Sequence, residues 1–469
     1  MLAFKESGQR GGLALSLAAR LRMAIETGEI RSGERLPASR KLSQALGVSR
    51  GTVSTAIETL IAEGLLETRI GAGTFVASGA TSPRKPPADQ AVALPWFKEP
   101  EAPNIDEVNP TKMDFRPCRP SLEAFPMQIW KRCVAQAASL RPSPDYSSPL
   151  GDEALRKEIC LYLRRARGLQ CDPGQLIVTN GALNAMHLVS TLCIRPGTKV
   201  IVEDPGYPLA RQVFASCGAE IIPLPVDNEG LCVDLLPKRA GKIAFVCVTP
   251  SHQFPTGNRL SLARRHALIN WAERNGVFVI EDDYDGEFRY DVPPLSPLAA
   301  MDNGCVLYVG TFSKTMFPGL RIGFAVGPKP LIEAMARNRA FAEYAPNDLN
   351  QRALLNFIQD RHYERHVQRM RRIYSEKRRC LVDAISRDNK DAWIGGLESG
   401  LNALLTLKAG VSARKVSETL KSRGALVPTL ARYSVSTDIE DSALVIGYAA
   451  PTLQQIDIFS AMVAARWRN

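Results

Sequence analysis

The sequence has no apolar run approaching the roughly 20 residues that a membrane-spanning helix needs, and its opening stretch, Met1 to Arg10, lacks the hydrophobic segment of a secretory leader. Both absences point to the cytoplasm and away from a membrane. The ten cysteines form no Cys-x-x-Cys pair and no histidine–cysteine ligand spacing. They therefore read as reduced, small hydrophobes; neither a disulfide frame nor a metal site is expected. No internal repeat is evident.

What is present is length and positive charge. At 469 residues the chain is too long for one core and suits a small domain plus a large one. A net charge of +11 suits a polyanionic partner, yet residues 1–80 carry only a small excess of Lys and Arg. Much of the excess falls on Arg361, Arg365, Arg369, Arg371, Arg372, Lys377, Arg378 and Arg379, whose spacing predicts one long helix. That stripe reads either as a solvated helix face or as a secondary contact with DNA.

Leu17, Leu21 and Ile25 repeat every four residues and stop before Gly28, which predicts a first amphipathic helix. Ser39 is expected to cap a second, short helix ending at Gly47. Ser49 is expected to cap a third, with Val53, Ile57, Leu60 and Ile61 as its buried stripe. Two short helices around Gly47-Val48-Ser49 match a helix-turn-helix, and Leu65 to Val76 reads as a glycine-broken hairpin, a wing. Residues 79–112 are rich in proline and charge and read as a linker. Beyond it, strand-like runs at Gln175–Thr179, Lys199–Glu203, Lys242–Thr249, Val277–Asp282 and Cys305–Val309 alternate with helical patterns. This predicts an α/β domain with a mostly parallel sheet covered by helices. The expected domains are 10–78, the linker 79–112, and 113–469.

Gly33 to Arg40, Gly47 to Val53, Glu63-Gly64-Leu65 and Gly71 to Val76 together resemble the winged-helix domain of the GntR superfamily. That resemblance implies double-stranded operator DNA as a partner. Ser49, Arg50 and Thr52 would lie on the first turn of the recognition helix, where side chains reach base edges and phosphates. Arg40 would hold a phosphate, and the wing glycines, Gly73 among them, would let backbone approach the DNA.

Thr311-Phe312-Ser313-Lys314, followed by Pro318-Gly319-Leu320-Arg321-Ile322-Gly323, resembles the lysine loop of fold-type I pyridoxal-phosphate aminotransferases. From Met113 onward the chain looks like a class I aminotransferase domain, and its fusion to a GntR head resembles the MocR-type regulators. The resemblance implies pyridoxal 5'-phosphate as cofactor, with Lys314 as the Schiff-base amine. Asp282 would bind the pyridine nitrogen; Glu281 and Asp283 leave that register open by one residue, and the Asp-x-Tyr match selects Asp282 and Tyr284, the latter for the phenolic oxygen. Gly181, Ala182 and Leu183 would open a helix at the phosphate, with Ser313 and Arg321 as further ligands. Tyr207 would line the ring, and Tyr146 would reach the phosphate of a neighbouring subunit, implying a head-to-tail homodimer. Phe254 stands where aminotransferases carry asparagine, and Asn402 where the family often has histidine. No arginine precedes the late strand Ser442 to Tyr448 at the expected place; Arg432 is the candidate replacement for holding an effector carboxylate.

The leading expectation is a regulator that senses an amine, an amino acid or the cofactor itself. The alternatives are a working aminotransferase carrying a DNA-binding head, and a cofactor-free scaffold.

Overall fold

The computed structural model describes residues 12–78, 113–141, 143–290, 296–302, 304–389, 391–436 and 441–465. These fall into two compact units, one before residue 79 and one after 112. The predicted linker, 79–112, lies outside the described residues.

The first unit is three helices and a hairpin: α1 Gly12–Glu26, α2 Ser39–Leu46, α3 Arg50–Ala62, β1 Leu66–Arg69 and β2 Gly73–Val76. Its core is Leu17, Leu21, Ile25, Leu36, Val53, Ala56, Leu60, Leu66 and Val76. Two expectations need correction. Ala38, not Ser39, holds the N-cap position and makes no side-chain cap bond, because the chain is already helical at Ser39. The buried stripe of α3 runs through Val53, Ala56 and Leu60, the three- and four-residue steps of one face, which leaves Ile61 36% exposed. Gly47 ends α2 in the left-handed conformation, as its lack of a Cβ permits.

The second unit begins with β3 Met113–Asp114, α4 Met127–Ser139, α5 Glu153–Arg167, β4 Leu176–Thr179, α6 Ala182–Cys193, β5 Lys199–Asp204, α7 Pro208–Ser216, β6 Glu220–Asp227 and β7 Gly230–Leu231. It continues with β8 Ile243–Val248, α8 Leu262–Asn275, β9 Phe278–Asp283, β10 Val306–Thr311, β11 Gly323–Val326, α9 Lys329–Ala340, α10 Asp348–Gln359 and the long α11 His362–Asp388. The last stretch holds β12 Ala392–Gly395, β13 Asn402–Leu407, α12 Ala413–Ser422, β14 Ala425–Leu426, β15 Ala443–Gly447 and α13 Leu453–Ala464. Eight strands form one sheet in the order β4-β11-β10-β9-β8-β5-β6-β7. The strands from β10 across to β6 run parallel, while β11 is antiparallel to both its neighbours and β7 is antiparallel to β6. Strands β4, β8 and β10 are buried through most of their length and read as near-continuous apolar runs, whereas β6, towards the sheet edge, buries only Leu224. A smaller sheet, β12-β13-β15, is antiparallel throughout.

The basic stripe does lie on α11, but it is split. Arg361 precedes the helix in a left-handed conformation, and Lys377 turns inward to donate to the Ala449 carbonyl at 2.7 Å. Arg378 lies over the Tyr290 ring.

Candidate functional site

Strand β9 ends in three consecutive carboxylates, and alternation sends them to different environments. Glu281 accepts from the amides of Leu298 and Ala299 at 2.9 and 3.0 Å. Asp283 is paired with the buried Arg167 and accepts from the Tyr308 hydroxyl at 2.6 Å. Asp282, between them, faces the other way; its Oδ1 is buried and has no hydrogen-bond partner. Burial, reinforced by Asp283, pushes its carboxyl up to about 7, opposed by the charge of Lys314. A buried carboxylate oxygen left unmatched is costly unless a ligand supplies the proton. The protonated ring nitrogen of pyridoxal phosphate is a donor of the kind that oxygen could accept from.

Lys314 follows β10 in a half-buried position, and its charge acts on Asp282 and on Cys118. The remaining cradle comes from the registry of three strand ends. Gly323 pairs with Thr311 of β10 on one side and with Thr179 of β4 on the other. Two residues beyond those threonines stand Ser313 and Gly181, and Gly181 lies directly against Gly323. Gly181 is the N-cap of α6 at φ +91°, and Ala182 and Leu183 open that helix. The Arg321 guanidinium donates to the Asn180 carbonyl at 2.8 Å and lies where a Cβ on Gly181 would meet it at 3.0 Å. A helix N-terminus with free amides, an arginine and a serine hydroxyl is an anion cradle of the kind a phosphate needs. Leu183 packs its side chain into the core, and Asn184 is taken by Arg339 and Glu343. Only their backbone remains for a ligand.

Tyr284 and Tyr207 flank Phe254, with ring centroids 5.9 Å apart in each case, and Tyr433 closes the cluster at 5.1 Å. Phe254 therefore replaces a polar donor with an aromatic wall. The Tyr284 hydroxyl sits 2.9 Å from His252 Nδ1, and the same nitrogen is 3.0 Å from Asp285 Oδ2. His252 Nε2 faces the Gly396 carbonyl at 3.3 Å. Gly400 is required here, since a Cβ would meet His252 Nδ1 at 2.2 Å. Burial lowers the His252 pKa, but the charge and hydrogen bond of Asp285, with the Gly396 carbonyl and the charge of Glu398, together outweigh it and the net shift is upward. Asn402, fully buried, accepts from the Cys118 amide at 2.7 Å. His252 was not singled out from the sequence; its signal is a histidine two residues before the aromatic Phe254.

Two expected residues are exposed. Tyr146 is 78% exposed and tilts against Tyr344 at 4.7 Å. Arg432 is exposed on the turn Leu430–Tyr433, while Tyr433 turns inward and its carbonyl accepts from Arg211 at 2.7 Å.

In the first unit, Ser49 caps α3: its Oγ accepts from the Thr52 amide at 3.1 Å and lies 2.9 Å from the Thr52 hydroxyl. Both residues thus have a structural task. Arg50 and Arg40 are exposed at the starts of α3 and α2. Gly73, at φ +113°, accommodates Arg35, whose Nε lies 3.0 Å from where a Cβ would stand. The sequence reading passed over Arg35 and the fully exposed wing-tip Ile70.

Residues 13–76 match the family Bacterial regulatory proteins, gntR family, and residues 120–459 match Aminotransferase class I and II. The probable rhizopine catabolism regulatory protein MocR of Rhizobium meliloti is 35% identical over 396 residues, 80% of this chain and 78% of its own length. This chain belongs to the MocR-type regulators. Another relative, the pyridoxine biosynthesis transcriptional regulator PdxR of Corynebacterium glutamicum, is 33% identical over 434 residues, 92% of this chain and 91% of that one. A Pyrococcus horikoshii kynurenine aminotransferase in complex with PMP shares the fold of the larger unit, with a TM-score of 0.70 and 24% identity over 76% of this chain and 91% of that one. Both halves of the MocR-type architecture are therefore present, and the gntR head implies operator DNA as a partner.

Proposed function

We propose that this MocR-type chain is a transcription regulator that senses through pyridoxal 5'-phosphate held in its larger domain, residues 113–469. The DNA head is residues 10–78 and the linker is 79–112. When bound, the cofactor supplies an aldehyde that condenses with amines and an electron-withdrawing ring. Lys314 provides the resident amine, Asp282 the partner for the ring nitrogen, and Tyr284 a donor to the phenolic oxygen. Tyr207 lies along the ring. The amides of Gly181, Ala182 and Leu183, with Ser313 and Arg321, hold the phosphate. Tyr146 serves the site of a second subunit in a head-to-tail dimer, and Arg432 holds an effector carboxylate. Arg50, Arg40, Ser49, Thr52 and Gly73 form the reading surface on DNA.

The observation that carries this reading is the orphaned Asp282 oxygen beside the charge of Lys314. The effector is an amine, an amino acid or the cofactor itself; PdxR, a relative over nearly the whole chain, is named for control of pyridoxine biosynthesis. Phe254 favours sensing over turnover, since it offers no donor beside Tyr284 to tune the ring. Coupling requires the effector to favour one arrangement of the DNA heads, typically by about 1 to 3 kcal/mol.

The test is the absorption spectrum of the purified protein with pyridoxal phosphate, before and after a panel of amines, with Lys314→Ala alongside. A visible band that one amine shifts, without sustained oxo-acid formation, supports sensing. Multiple turnovers with an amino donor and a 2-oxo acid would instead make the chain a working aminotransferase. A band that Lys314→Ala leaves intact removes the lysine from the site.

A further inference from the structure

Ten cysteines are free, and two of them meet. Cys160, on α5, and Cys171, in the turn that leads to β4, bring their sulfurs to 3.3 Å. Both line a cavity of about 550 Å³ whose wall also carries Lys157 and Arg164. Cys160 is buried, whereas Cys171 is half-exposed. The junction is held rigidly: Arg156 donates to the Pro173 carbonyl, and Asp172 and Gln175 form a capping box around the following turn.

We propose that Cys160 and Cys171 form a peroxide-oxidisable dithiol, a modification site separate from the cofactor cradle. Cys171 donates its S–H toward Cys160. That bond, together with the Arg156 charge, favours the Cys160 thiolate and lowers its pKa against burial. The thiolate attacks one oxygen of a hydroperoxide, the O–O bond breaks, and the other oxygen leaves as hydroxide or alkoxide. Cys160 is then a sulfenic acid. Cys171 loses its proton and attacks that sulfur, forming the S–S bond; the displaced hydroxyl leaves with the proton as water. Two electrons pass from the sulfurs to the peroxide, and a thiol reductant reverses the step by exchange. The product covalently ties α5 to the segment entering β4, the strand that ends at the Asn180-Gly181 cradle.

The experiment is hydrogen peroxide treatment of the reduced full-length protein, alkylation of the remaining thiols, and peptide mapping by mass spectrometry. The expected result is a linked Cys160–Cys171 peptide forming about tenfold faster than oxidation at any other cysteine, and disappearing with dithiothreitol. Cys171→Ser should leave a sulfenic acid on Cys160 that dimedone traps, and Cys160→Ser should give no linked peptide. Overoxidation of either sulfur without a linked peptide, or a different pair linking first, would overturn the proposal. The wild-type protein alone decides it, so a misfolded variant leaves the answer intact.

Discussion

His252 Nδ1 stands 2.9 Å from the Tyr284 hydroxyl and 3.0 Å from Asp285 Oδ2, all three side chains buried. With its other nitrogen facing the Gly396 carbonyl, the ring has acceptors at both ends, which favours the imidazolium. Tyr284 then accepts from His252, leaving its own proton to donate. Substituting His252→Gln should therefore shift the pH midpoint of the visible cofactor band by on the order of one unit. An unchanged midpoint in a spectrophotometric titration would mean that His252 only packs.

The same pair makes a stability prediction. Because the folded pKa of His252 is raised, its contribution is fully present below the ordinary value, about 6.5, and is lost as pH rises through the folded value. Asp285→Ala leaves burial to act on His252, which should then be neutral, and should cost about 1 to 3 kcal/mol through the hydrogen bonds left unmade. Urea unfolding followed across neutral pH should show the wild-type loss and its absence in the variant.

Asp282 links function to stability with a definite sign. Its folded pKa of about 7 lies above the ordinary carboxylate value, so between the two the folded state holds a proton that the unfolded state has released. Stability of the cofactor-free protein falls as pH rises through that window. Asp282→Asn should stabilise the cofactor-free protein at neutral pH while weakening pyridoxal phosphate binding by about tenfold or more. Thermal melts and a cofactor titration on the same samples separate the two effects; loss of both stability and binding would indicate simple misfolding.

Gly181→Ala puts a Cβ at positive φ and into the Arg321 guanidinium. The expected cost is about 1 kcal/mol or more in folding, with a larger fractional loss in phosphate binding. Inorganic phosphate competition against the cofactor reads the second quantity directly.

In the DNA head, Ser49 and Arg50 should separate cleanly. Ser49→Ala removes a cap and should cost about 1 kcal/mol of head stability, whereas Arg50→Ala should leave the melt unchanged and abolish specific operator binding. A mobility-shift titration against operator recovered by in vitro selection tests this; binding at wild-type strength takes Arg50 off the reading surface.

The strand–helix alternation and the winged head were legible because each depends on local periodicity, and the five expected runs lie within two residues of β4, β5, β8, β9 and β10, whereas β6, β11 and β13 had not been anticipated. The α3 stripe was misread at Ile61 because packing selected Ala56, a small residue with little hydrophobic signal. Asp282 could be chosen from three acids only by resemblance; the sheet shows why, since Glu281 and Asp283 find partners far along the chain. His252–Asp285–Tyr284 and Cys160–Cys171 were not legible, because they are side-chain meetings created by the folded turn geometry. Gly73, read as a backbone approach to DNA, also has the internal task of accommodating Arg35.

The acid triplet on β9 makes that strand sensitive to length in a way its composition conceals. A deletion or insertion of one residue upstream in the strand would leave Glu-Asp-Asp intact yet exchange the two faces. Arg167 would lose its carboxylate, and the sheet would present two acids where it now presents one. Homologous chains that diverge here should accept substitutions at the flanking positions more readily than any change in residue count.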